Sequence, residues 1–458
     1  MVLIGKLLKW LAVLLVAILL ATGGWLYLAP PALIQVAAGY TAKIVCSNVF
    51  VAGRDEKEVL RVDVQAPGHP ILGLIPVEVD REAKTVTSSL LGLFGGGMAV
   101  AREGAGCASV PDHDANAAIL SPVAASVGTA SQAPWPQGDA VEPSRDPAVD
   151  AILDDPAMTG PGMRAVVVVK DGRIVGERYG EDFSETTPLL GWSMTKTVTA
   201  AIVGTLVREG KLSLDDAGLF EPWKGDGRAA IKVRDLMAMS SGLEFNEDYG
   251  DVTDVTRMLY LEPDMAAFAA SKPLAHEAGT VSSYSSGTTV MLSRIWQDAA
   301  GAEAPAWPRR ELFDPIGMRS AVLEADARGT YVGSSYLYAT ARDWARFGQF
   351  LLQDGVWDGR ALLPPGFAAM MRTASSASPD YTQGQMWLNG PSAGTPDGED
   401  PDVGFDLPAD AAWALGHDGQ SMVVIPSAQL VVVRLGLTPT KLGYKSQAMV
   451  QKLVRALR

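Results

Sequence analysis

From Trp10 to Ala42 the chain carries no Asp, Glu, Lys or Arg, and its first part, Trp10 to Leu28, is close to the roughly 20 apolar residues that a helix needs to cross a bilayer. Pro30-Pro31 stops that run. Lys6 and Lys9 stand in front of it, a bias that leaves the N-terminus in the cytoplasm and everything after it outside. A cleaved signal peptide would show the same apolar core. Ala21-Thr22-Gly23 is a poor cleavage site, however, and the apolar run continues past it, so residues 1–30 are read as an uncleaved anchor.

Further along, the polarity changes period. Val77-Glu78-Val79-Asp80, a polar corner at Arg81–Lys84 and Thr85-Val86-Thr87 alternate as a hairpin, and Met98 to Glu103 reads as a further strand leading to Cys107. Residues 43–110 are therefore read as a small β-rich unit. Residues 111–145 are rich in Pro, Ala, Ser, Gly and Asp without apolar periodicity, and read as a linker. Ala165–Val169, the Asp171-Gly172 turn and Ile174–Tyr179 form a second hairpin pattern. An apolar helix is predicted over Val198–Arg208, ended near Gly210, with Ala200, Ala201 and Gly204 as a small face suited to burial against a sheet. Residues 231–300 look helical and loop-rich, strands return around 413–436, and Ser446–Leu457 reads as a closing helix.

A chain of 458 residues is too long for one ordinary core, so two units and some linker are expected. The net charge of −14 argues against a nucleic-acid partner, because phosphate binding requires a basic surface. Cys46 and Cys107 are the only cysteines. In an oxidising compartment a disulfide between them is expected, and closing a loop of that size contributes roughly 4 kcal/mol on the chain-entropy argument. Two unrelated buried thiols are the other reading. His69, His113 and His276 have no metal-ligand spacing and no phosphate-binding glycine loop occurs, so neither a metal nor a cofactor is expected.

The chemistry concentrates at Ser193-Met194-Thr195-Lys196, which places a hydroxyl and an amine on one helix face at the start of the predicted helix. Lys196 could then take the proton of Ser193 during attack on an acyl carbon. Taken alone the four residues are a common pattern: an N-capping serine and a solvated lysine give the same letters. A lysine titrating near about 10.4 must also be lowered by burial to act as a base, at about 1.4 kcal/mol per unit. Two partners lie downstream. Tyr284-Ser285-Ser286 follows Gly279-Thr280, and His417-Asp418-Gly419-Gln420 precedes the strand-like Ser421–Ile425.

With the three elements in that order, the chain resembles the serine β-lactamase and penicillin-binding-protein superfamily, whose elements are Ser-x-x-Lys, Tyr-x-Asn and Lys-Thr-Gly or His-x-Gly. Trp192–Lys196, Ser241-Gly242-Leu243, Asn246-Glu247-Asp248-Tyr249, Arg342–Gly348 and Gly419-Gln420 are similar to the 6-aminohexanoate-dimer hydrolase and esterase branch. The resemblance covers about residues 147–458 and leaves the first third unexplained. It implies an α/β (α+β) fold over residues 146–458: an antiparallel sheet flanked by helices plus a mostly helical lobe, here preceded by the transmembrane helix and the small β-rich unit.

It implies too that Ser193 is the nucleophile, Lys196 its base and Tyr284 the group shuttling a proton to the leaving group. The backbone N–H of Gln420 joins that of Ser193 as an oxyanion hole, Gly419 permits close approach of substrate, and Asp248 and Tyr249 lie on a loop able to close over a substrate amide. Two departures matter. Ser286 stands where Asn is usual and lacks the amide that holds a substrate carboxamide, and His417 replaces a lysine and lacks its permanent charge. Both turn the expectation from β-lactams to small esters or linear amides. The chain is thus expected to be a serine hydrolase held in a bacterial inner membrane with its catalytic domain periplasmic. A DD-peptidase or weak β-lactamase, and a non-catalytic penicillin-recognition or envelope protein, are the alternatives.

Overall fold

The computed structural model describes residues 2–118, 131–142 and 146–458. Residues 119–130 and 143–145 of the stretch read as a linker lie outside the described residues. The chain divides into two compact units, one comprising Met1–Ala101, Cys107–Asn116 and Asp248–Pro263, the other Arg102–Gly106, Ala117–Glu247 and Asp264–Arg458.

The first unit opens with helix α1 (Val2–Leu28) and, after Pro30-Pro31, helix α2 (Ala32–Phe50). Both are long and apolar enough to cross a membrane, but they are placed differently. The side chains of Ile4–Leu28 are exposed almost throughout, whereas most of α2 is buried as the core helix of the unit. Against α2 lies a four-stranded sheet in sequence order: β1 (Val77–Asp80), β2 (Thr85–Leu90), β3 (Phe94–Arg102) and β4 (Gly106–Ser109). The hairpin read at 77–87 closes at Asp80↔Thr85.

Strand β3 approaches α2 at backbone distance. A Cβ at Gly97 would stand 2.4 Å from the carbonyl carbon of Ala38, so only glycine fits there. The Ser88 hydroxyl donates to the Ala38 carbonyl at 2.7 Å, and a Cys46–Cys107 disulfide ties α2 to β4. Residues 43–74, read from sequence as part of a β-rich unit, are instead helical over Ala32–Phe50, Glu56–Gln65 and Pro70–Leu74. The β-branched residues Ile44, Val45 and Val49 are buried in α2, and tertiary packing outweighs their intrinsic preference for strands. One helix of this unit comes from far along the chain. Asp254–Leu261 packs on α2, with the Tyr260 ring edge-on to Tyr40 at 5.7 Å and the Tyr260 carbonyl 3.0 Å from where a Cβ on Gly39 would lie.

The second unit is built on a five-stranded antiparallel sheet. It contains β5 (Met163–Lys170), β6 (Arg173–Tyr179), β7 (Ala412–Gly416), β8 (Gln420–Ile425) and β9 (Leu430–Gly436), in the spatial order β7-β8-β9-β5-β6. Pairing of Val167 with Val433 joins the early hairpin to the late strands. Strands β5, β8 and β9 are buried on both faces, which is why they read as near-continuous apolar runs.

Val166, Val168, Val423 and Val432 pack with Met449, Leu453 and the helix Pro147–Leu153 on one side. Each such side chain, fully buried, contributes roughly 1.5–3 kcal/mol. Between β6 and β7 the chain forms helices α3 (Thr195–Arg208), α4 (Ser286–Ala300) and α5 (Ala341–Leu352), and the closing helix α6 is Gln447–Ala456. Helix α5 lies across β5, β8 and β9, and Gly348 lets it come close, since a Cβ there would stand 2.4 Å from Val431. Helices α3 and α4 pack on each other. An antiparallel sheet covered by helices, with a helical portion inserted between its early and late strands, is the β-lactamase-like architecture that the sequence implies.

Candidate active site

The turn that carries Ser193 is strained. Trp192 adopts φ of 48°, a left-handed conformation that costs a bulky residue on the order of 1–3 kcal/mol. Its ring is held by Tyr336 at 5.9 Å and His417 at 5.5 Å. Gly191 just before it has no room for a side chain, because a Cβ there would lie 2.2 Å from Trp344. A short helical turn, Trp192–Met194, then runs into α3 and leaves Ser193 half-buried at the helix entrance.

Lys196, one turn on, is fully buried. Its Nζ donates to Ser193 Oγ, Ser286 Oγ and the Ser334 carbonyl, each at 3.0 Å. Burial pushes its amine down to about 8, against the opposing pull of the Glu247 carboxylate. A noticeable fraction is therefore neutral at physiological pH, which a base requires. The side chain is no solvated helix charge. The Tyr284 phenol lies close enough to the Ser193 hydroxyl to feel it, and the Lys196 Nζ sits 4.7 Å from its ring centroid. Burial, then Glu247, push the Tyr284 phenol well up, so it stays protonated. Its ring packs against Trp387 at 5.3 Å and Tyr381 at 5.7 Å, an aromatic cluster in which Trp387 stays half-buried.

Glu247 is the residue that the sequence reading passed over. Its Oε1 accepts from the Ser286 hydroxyl at 2.5 Å and its Oε2 from the Ser286 backbone N–H at 2.7 Å, at the N-terminus of α4 where the helix favours negative charge. A chain Lys196–Ser286–Glu247 results, and the Ser286 hydroxyl is used up within it. The sequence signal was Ser286 itself: a hydroxyl in place of an amide leaves space beside the lysine for a carboxylate. Asp248 and Tyr249, read as substrate-loop residues, fall in the segment grouped with the first unit, while Glu247 joins the network around Lys196.

The third element abuts the Ser193 turn. A Cβ on Gly416 would lie 2.3 Å from the Gly191 carbonyl, and His417, exposed, stands edge-on to Trp192. Asp418 and Gly419 take φ of 57° and 80°, the left-handed pair that turns β7 into β8. The Gln420 side chain is spent on that turn: its Nε2 donates to the carbonyls of His417, Asp418 and Gly436, and its Oε1 accepts from the Gly436 N–H. Buried Arg434 donates to the Gly419 carbonyl at 2.9 Å and to those of Thr159 and Pro161. It is a further positioning residue that no short motif announced. Among the described residues, no cluster of His, Cys, Asp and Glu is arranged to hold a metal ion.

Because the Glu247 charge raises the Lys196 pKa, Glu247→Gln is expected to lower it further. The acid limb of the kcat/KM profile for an ester, with its inflection near 8 set by the coupled pair, should then move to lower pH. A profile that stays in place assigns that limb to another group.

The sequence profile of the beta-lactamase family matches residues 153–443, more than half of the chain. The chain is 25% identical over 306 residues to 6-aminohexanoate-dimer hydrolase of Paenarthrobacter ureafaciens, covering 60% of this chain and 72% of that protein. A Bacillus anthracis structure provisionally named 6-aminohexanoate-dimer hydrolase superposes with a TM-score of 0.58 at 22% identity, covering 76% of this chain and 92% of that one. A penicillin-binding-protein homologue from Caulobacter crescentus superposes with a TM-score of 0.51 at 18% identity, covering 69% and 99%. At those identities the two structures speak for the fold.

Proposed function

The chain belongs to the beta-lactamase family, whose members are generally serine hydrolases, and we propose that it works through an acyl-enzyme on small esters or linear amides. The observation that carries this reading is a fully buried amine, lowered by that burial, 3.0 Å from a half-exposed serine hydroxyl. Neutral Lys196 takes the Ser193 proton as Oγ attacks the acyl carbon, and the backbone N–H groups of Ser193 and Gln420 receive the developing oxyanion. One such donor is typically worth about 3 kcal/mol of barrier. Tyr284, beside Ser193 and Lys196, passes the proton to the departing alcohol or amine, and water then releases the acyl group.

The substrate class rests on what the site lacks and what lines it. The Ser286 hydroxyl is occupied by Lys196 and Glu247, so no side-chain amide at that position is free to grip a β-lactam carboxamide. No permanent charge stands at His417 to hold a substrate carboxylate. Half-buried Trp387, beside Tyr284, gives an apolar wall. The P. ureafaciens relative is named for hydrolysing a 6-aminohexanoate dimer, which accords with a linear amide. Helix α1 anchors the chain and leaves the catalytic unit on the outer face of an inner membrane.

A fluorophosphonate probe should label Ser193, and the protein should turn over a short-chain nitrophenyl ester. Rapid acylation by a β-lactam, faster than by the ester, would instead identify a DD-peptidase or weak β-lactamase. Failure to label and to turn over would leave a binding protein.

A further inference from the structure

The first unit has two ends of opposite character. No Asp, Glu, Lys or Arg occurs between Ala66 and Val77 or between Thr85 and Ala101. These two stretches meet at the β2–β3 tip, where the Leu91 N–H donates to the Leu74 carbonyl at 2.9 Å. Leu74, Leu91 and Leu93 are 54%, 59% and 67% exposed there. At the other end of β2, the β1–β2 turn carries Asp80, Arg81, Glu82 and Lys84.

The path of β3 along α2 fixes which way the apolar end faces. Gly97 lies against Ala38 and Gly39; two residues back toward the tip, a Cβ on Gly95 would lie 2.7 Å from Ile34 and 3.2 Å from Pro30. Moving from Gly97 to Gly95 thus runs down α2 toward its start, and Leu93 and Leu91 continue in that direction. They reach the level at which the chain leaves α1. Trp25 and Tyr27, exposed near the end of α1, mark the same level, because such rings favour the headgroup boundary of a membrane.

We propose that Leu74, Leu91 and Leu93 form a docking surface for the bilayer itself, inserted at the boundary between headgroups and acyl chains beside the point where α1 emerges. The surface rests on the reading of α1 as an anchor and deepens it: the N-terminal unit is seated on the lipid, charged end outward, and does not ride above it on a tether. Three exposed apolar side chains carried on stretches without Asp, Glu, Lys or Arg are what such a boundary accepts, and an exposed apolar cluster beside the end of a spanning helix has lipid as its natural cover.

Depth-resolved quenching of the full-length protein in phosphatidylcholine–phosphatidylglycerol vesicles tests this. Cys46 and Cys107 are joined, so a single introduced cysteine is the one thiol open to an environment-sensitive fluorophore. Probes on Leu91→Cys and Leu93→Cys should be quenched by lipids spin-labelled near the headgroup and shielded from aqueous iodide. A probe on Arg81→Cys should behave in the opposite way. Flotation of the same samples separates the two layers of the inference. Protein that floats with the vesicles while its Leu91 and Leu93 probes are quenched by iodide like that at Arg81 overturns the docking surface and leaves the anchor standing. Protein that does not float overturns the anchor, and the docking surface with it.

Discussion

Ser193→Ala is expected to abolish fluorophosphonate labelling and to lower ester kcat by on the order of 10^6-fold, the loss typical when the nucleophile of a catalytic unit is removed. The fold should not notice. Ser193 Oγ is half-buried at the mouth of the site, and the amine that it faces keeps two further acceptors, Ser286 Oγ and the Ser334 carbonyl. An unchanged thermal unfolding curve together with lost labelling separates the chemical role from a helix-capping one, in which removal of the oxygen would cost about 1 kcal/mol of stability and little else. Labelling that persists in the variant would move the nucleophile to another residue.

Lys196→Ala should be nearly as damaging, by about 10^4-fold or more, because residues that act as a unit do not contribute additively. Here stability should fall too. The substitution empties a fully buried site and leaves the Ser286–Glu247 pair with a negative charge that has lost its cation. A folded variant is confirmed by circular dichroism before activity is compared. Small primary amines added to it should restore part of the rate, with the rescue rising as the fraction of free amine rises with pH. Rescue that follows the ammonium form would make Lys196 an electrostatic support and return the base to another group.

What could be read from the sequence was whatever depends on near neighbours along the chain. Ser193 and Lys196 meet because a helix brings i and i+3 together, and the strands at Val77–Asp80, Ala165–Val169 and Ser421–Ile425 show as alternation or as short apolar runs. Glu247 could not be read this way. It stands inside the Asn246–Tyr249 pattern, but its partner Ser286 is distant in sequence, so the pattern does not say which of its members faces the lysine. Arg434 is similar, since it serves backbone carbonyls of Thr159, Pro161 and Gly419 that give no side-chain signal. Helix α2 was misread for a different reason: residues buried on all sides lose the periodicity by which helices and strands are told apart.

The helix Asp254–Leu261 makes the N-terminal third of this protein something other than a removable tail. It buries Val255, Met258, Leu259 and Tyr260 within the first unit, yet the chain reaches it by a single peptide bond from Glu247 to the segment that carries it. A ribosome must therefore have made about half of the polypeptide before that unit can finish folding, although both cysteines of its disulfide are made far earlier. Removing α2 would take away the helix on which Asp254–Leu261 packs and leave apolar surface close in sequence to the carboxylate beside Lys196. Soluble production of the hydrolase portion alone thus calls for that helix to be resurfaced, or for the first unit to be kept and α1 alone removed.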